Sequence, residues 1–138
     1  MNRYCSFFLI FIASYISAQN IETKRLEKHI FHLADDKMKG RGTGSKENLK
    51  AGKYIAKEFK KIGLKPLGND GYYQNFTAKV KRVVVADSIR DARNIIGFLD
   101  NEAEKTIVIG AHYDHLGEGR QGRSRAENSV GVIHNGAD

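Results

Sequence analysis

Ile107, Val108 and Ile109 form a continuous run of branched apolar residues. Branching at Cβ favours extended backbone, and an unbroken apolar run predicts a strand covered on both faces. Polarity changes abruptly after Gly110-Ala111, at His112-Tyr113-Asp114. Alternate residues of an extended chain share a face, so His112 and Asp114 are expected to point the same way from the strand end. In open α/β sheets, ligands lie just beyond the carboxyl ends of strands. Zinc and similar ions take neutral imidazole nitrogen and carboxylate oxygen from separate loops. A ligating histidine commonly gives its other N–H to a carboxylate, a role that suits Asp114. His115 falls on the opposite face and reads as structural.

The chain has 138 residues, enough for one small domain, with 41% hydrophobic and 28% charged residues. Arg3, an uncharged apolar stretch from Cys5 to Ile12, and Ile16-Ser17-Ala18 together read as a secretory signal, residues 1–18. The apolar stretch falls short of the ~20 residues of a spanning helix, so no stable membrane anchor is expected. Residues 19–138 are then an exported, periplasmic or extracellular, domain. Cleavage removes Cys5, the one cysteine, and leaves stability to a core or a metal rather than to disulfides. The net charge of +7 is spread along the chain; Lys79, Lys81 and Arg82 come closest to a patch, and no aromatic residue interleaves with them. A solvated basic surface accounts for this better than nucleic-acid binding, and no nucleic-acid partner is expected.

Leu26, Ile30 and Leu33 are spaced as one stripe of a helix from about Ile21 to Ala34. His29 and His32 on that helix read as a solvated face. Lys39 to Ser45 carries three alternating glycines. It matches neither phosphate-loop nor dinucleotide patterns and is expected to be a flexible lead into a second helix, capped by Ser45. Ala51, Ile55, Phe59 and Ile62 give that helix its buried stripe. Gly63, Leu64 and Pro66 end it. Extended segments are predicted over Tyr72–Phe76, Lys79–Ala86 and Asn94–Leu99, with a turn over Asp87–Arg93. Asn94–Leu99 is expected to pair antiparallel with the Ile107–Ile109 strand through a short hairpin. Gly117 to Asn135 reads as an exposed loop, whose Arg120, Arg123 and Arg125 are solvated rather than substrate-binding. Ile133-His134-Asn135-Gly136-Ala137-Asp138 follows.

Ala111-His112-Tyr113-Asp114-His115-Leu116-Gly117 and Ile133-His134-Asn135-Gly136-Ala137-Asp138 resemble the two-part motif of the co-catalytic zinc aminopeptidases, which include bacterial leucyl aminopeptidases and aminopeptidase Y. Gly40-Arg41-Gly42-Thr43-Gly44-Ser45 is similar to that family's Gly-Arg-x-x-Gly-Ser segment. Tyr54-Ile55-Ala56 through Pro66 and Asn94-Ile95-Ile96-Gly97 are similar to the helix and strand that follow. The resemblance implies the N-terminal part of a mixed-sheet α/β/α domain and hydrolysis of peptides with a free N-terminus. It implies two zinc ions ~3.5–4 Å apart that activate a shared water. It makes His112 a zinc ligand and Asp114 the acid that orients it. The family motif reads Gly-Ala-Asp-Asp, so the bridging Asp and the general-base Glu are expected beyond Asp138, and the chain by itself is expected to be inactive. The alternatives are a glutaminyl-cyclase-like acyl transferase of the same fold, which the motif does not separate, and a non-catalytic binding relative that has lost its ligands, against which the retention of His112 and Asp114 argues.

Overall fold

The structure is a computed structural model that describes residues 22–80, 89–120 and 124–136. The signal segment 1–18, the Val83–Val85 stretch and Asp138 lie outside the described residues. Element order is α1 (Thr23–Leu33), a 3-10 segment (Asp36–Arg41), α2 (Lys46–Lys61), β1 (Lys65–Pro66), β2 (Tyr73–Lys79), β3 (Ile89–Ile95) and β4 (Gly97–Phe98). The architecture is a small mixture of helices and antiparallel sheet. β2 pairs with β3 over seven residues, with Phe76 opposite Ala92, and β1 pairs with β4.

α2 forms where its local signals place it. The Ser45 hydroxyl accepts the amide of Asn48 at 3.0 Å and so satisfies one of the free N-terminal donors. At the other end Gly63 takes φ +80°. The Leu64 amide reaches back to the Phe59 carbonyl at 3.0 Å, and the Gly63 amide to Lys60 at 3.2 Å. That pair of bonds is the Schellman closure, which needs a residue free to turn left-handed. α2 packs against the 3-10 segment and β3. Its buried face is Asn48, Ala51, Gly52 and Ala56. Ile62, expected in that face, is exposed because it is already the capping residue of the last turn.

Among the described residues the buried apolar side chains are Met38, Ala51, Ala56, Val80 and Ala92. α1 buries no residue, and its stripe residues Leu26 and Ile30 are exposed. α1 meets α2 through polar aromatics instead. His29 Nδ1 lies 2.6 Å from the Tyr54 hydroxyl, and the His32 ring stacks on Tyr54 at 3.9 Å. These two histidines therefore face the neighbouring helix rather than solvent alone.

Three strand expectations are corrected. Residues 89–95 form a strand rather than a turn, because they continue the ladder with β2. Asn94–Leu99 does not pair with the segment at 107–109; β4 turns to β1 instead. Ile107, Val108 and Ile109 are not buried: they are 87%, 88% and 93% exposed. An apolar run records a need for cover on both faces, but cover depends on a neighbouring strand and a packed layer. Among the described residues neither is supplied. An apolar groove of about 870 Å³ instead separates this segment from Ile55 and Phe59 of α2 and Ile95 of β3.

Candidate metal centre

Alternation along residues 112–114 decides the local geometry. Tyr113 turns inward, and its hydroxyl donates to the Arg93 carbonyl of β3 at 2.7 Å. It also passes close over α2 at Gly52, where a Cβ would stand 3.2 Å from the tyrosine oxygen. This accounts for a glycine in mid-helix, otherwise unfavourable by about 1 kcal/mol. Burial pushes the Tyr113 phenol above its ordinary pKa, with Asp114 and Tyr73 adding to the rise and Arg93 opposing it. With Tyr113 anchored, His112 and Asp114 face the other way, their side chains 66% and 41% exposed.

The His112 ring is held by its own turn. Nδ1 lies 2.9 Å from the Asp114 carbonyl oxygen and 3.4 Å from Asp114 Oδ1. A carbonyl oxygen only accepts, so in the neutral ring Nδ1 carries the proton and Nε2 keeps its lone pair. That is the tautomer a metal takes. The closer partner is the backbone carbonyl, with the carboxylate standing just behind it. The other carboxylate oxygen, Oδ2, accepts from the Thr43 hydroxyl at 2.6 Å.

Thr43 is delivered by the glycine-rich loop, which is packed rather than flexible. Gly40, Arg41 and Gly42 are buried. Lys39, Gly40 and Arg41 all adopt left-handed backbone, φ +45°, +62° and +46°. Consecutive left-handed residues outside glycine persist only where surrounding contacts impose them. Those contacts are present. The amides of His115 and Gly117 donate to the Arg41 and Gly40 carbonyls at 3.1 and 2.9 Å. A Cβ on Gly40 would sit 2.3 Å from the His134 carbonyl oxygen. The glycines allow backbone to lie on backbone, a use invisible in their spacing alone.

Arg41, 5% exposed, ties the site together. Its guanidinium donates to the carbonyls of Tyr113 at 2.9 Å, Asn135 at 2.9 Å and Gly136 at 2.7 Å, and also to that of Leu33. The His134 amide donates to the Gly117 carbonyl at 2.9 Å, and Gly136 lies against the His115 ring. The two motif segments, about twenty residues apart in sequence, thus lie side by side. His115 is part of this junction. Neither Thr43, Arg41 nor Tyr113 was singled out by sequence as a site residue. The available signal was the placement of Arg41 and Thr43 among glycines.

Comparison with protein-family models, with curated proteins and with solved structures finds no match to this chain.

The donor chemistry at His112 suits a divalent metal: an exposed imidazole with its lone pair turned away from the turn that holds it. Among the described residues, no group of three or more His, Cys, Asp or Glu side chains converges on a common point. The described residues therefore offer one ligand, with Asp114 and Thr43 behind it. Among them, too, no helix is long and apolar enough to cross a membrane.

Proposed function

We propose that the chain is the N-terminal part of the catalytic domain of an exported zinc-dependent exopeptidase of the aminopeptidase type. The observation that carries this reading is the His112 ring, held through Nδ1 by Asp114 so that Nε2 is free to bind a metal. The adjacency of His115–Gly117 to His134–Gly136 supports it further, since a metal site is gathered from separate loops. The exposed apolar Ile107–Ile109 run supports it too, as a segment that further chain would cover.

In this reading His112 binds one zinc ion through Nε2. Asp114 holds the ring so that Nε2 faces the metal. The remaining ligands and the general base come from outside the described residues. Bound zinc would supply a water of lowered pKa and polarise the scissile carbonyl. The substrate class is a peptide with a free N-terminus.

The test uses the natural full-length polypeptide. Hydrolysis of an unblocked dipeptide, silence on its N-acetylated form, and loss of activity with a chelator are expected. His112→Ala should lower activity by at least about 100-fold, as loss of a metal ligand does. Equal cleavage of blocked and free peptides, or activity untouched by His112→Ala, would overturn the reading. Release of ammonia from N-terminal glutamine without peptide cleavage would point to the cyclase chemistry instead.

A further inference from the structure

Thr43 has a short bond to a charged acceptor that no structural duty of its loop requires. Capping of α2 is done by Ser45, and docking of the loop is done by the amides of His115 and Gly117, which donate to the Arg41 and Gly40 carbonyls. Thr43 Oγ1 donates to Asp114 Oδ2 at 2.6 Å, and the second oxygen of the same carboxylate stands 3.4 Å from His112 Nδ1. A hydroxyl donating to an ionised carboxylate makes a charge-assisted bond, stronger and more directional than a neutral one. The neighbours of Thr43 hold it in place. Gly42 bridges to His115, and Gly44, at φ +73°, lies so close to Arg90 that a Cβ would meet the arginine Cβ at 2.5 Å.

We propose that Thr43 is a positioning residue for the His112–Asp114 pair. By fixing one carboxylate oxygen, it stops the Asp114 side chain from rotating into solvent, where that side chain is 41% exposed. The other oxygen is then kept beside the Nδ1–H of His112. Together with the Asp114 backbone carbonyl, 2.9 Å from the same nitrogen, that steadies the ring in the direction that presents Nε2. The proposal rests on the reading of His112 as a metal ligand. It extends that reading to a residue that touches neither metal nor substrate. Outer partners of this kind change metal affinity by about 10–100-fold when removed.

The experiment compares the natural full-length polypeptide with its Thr43→Val, Thr43→Ser and His112→Ala variants. Val keeps the shape and removes the donor, whereas Ser keeps the donor. Two quantities are measured. One is the tautomer of the His112 ring in the metal-free protein, by long-range proton–nitrogen NMR at a pH where imidazole is neutral. The other is zinc affinity, by competition with a chromophoric chelator.

For Thr43→Val, with the Asp114 carbonyl still in place, we expect a rise in the minor His112 tautomer rather than its dominance, and zinc binding weakened about tenfold. For Thr43→Ser we expect both to return to wild-type values. If Thr43→Val lowers thermal stability but leaves tautomer and affinity unchanged, Thr43 only fastens its loop and the proposal is overturned. If the tautomer shifts as expected while His112→Ala leaves zinc affinity unchanged, the positioning role stands and the metal reading fails.

Discussion

Arg41 and Gly136 are 95 residues apart in the chain and 2.7 Å apart in space, the guanidinium donating to the glycine carbonyl. The same side chain reaches the carbonyls of Leu33, Tyr113 and Asn135. A planar fork serves several acceptors at once, whereas an ammonium on a flexible stem does not. Arg41→Lys keeps the charge and abandons some of these carbonyls without a donor. The expected cost is about 2–3 kcal/mol, the desolvation penalty of one or two orphaned buried acceptors. Urea denaturation measures it, and a change within about 0.5 kcal/mol, the range of an ordinary surface substitution, would show that the clamp is dispensable.

Gly40 tests the packing of the loop it belongs to. An added Cβ would lie 2.3 Å from the His134 carbonyl oxygen and 2.5 Å from that of Gly117, both backbone, at φ +62°. Gly40→Ala therefore carries both a left-handed penalty and a clash that no side-chain motion relieves. The sum should be about 2–4 kcal/mol. Proteolysis should also begin near residues 133–136, because the clash lifts that segment off the loop. If Gly40→Ala is as stable and as protease-resistant as wild type, the loop is not docked in this way.

Tyr113 makes a prediction about pH. Its phenol is held above the ordinary value of about 10, mainly by burial. The folded chain thus keeps the proton at a pH where the unfolded chain releases it. The stabilisation is fully present below the ordinary tyrosine value and is lost as pH rises through the raised one. Tyr113→Phe removes the bond to Arg93 at a cost of about 1 kcal/mol near neutrality. The gap between mutant and wild type should close in alkaline buffer. A gap constant from pH 8 to pH 11, a span of about three units around the tyrosine value, would argue against this burial.

Val108 tests the exposed segment. Because the side chain is 88% exposed, Val108→Lys should leave the unfolding midpoint of the 138-residue chain within about 0.5 kcal/mol of wild type. It should also reduce concentration-dependent light scattering, since a charge in an exposed apolar run discourages pairing between chains. A destabilisation of several kcal/mol would mean that residue 108 is packed in solution.

His112 and Asp114 were legible as a pair because residues two apart in an extended chain share a face, which depends only on the local backbone. The partner of Asp114 was not. Thr43 lies 71 residues away and arrives through the left-handed path of Lys39, Gly40 and Arg41. Alternating glycines signal freedom of the backbone, and only the docked neighbour reveals that the freedom is used for close contact. The glycine-rich segment therefore reads as flexible in isolation and proves to be the packed base of the candidate site.

What the sequence determined by itself is α2 with its two ends. Ser45 caps the helix through a bond three residues long, and Gly63 closes it through bonds of three and five residues. Contacts so short depend on the residues between them and little else. The tertiary structure alone decided which strands pair, where the glycine loop lies, and that Ile107 to Ile109 stand in the open. Those outcomes depend on partners tens of residues away, and an apolar side chain encodes its need for a partner without specifying which partner meets it.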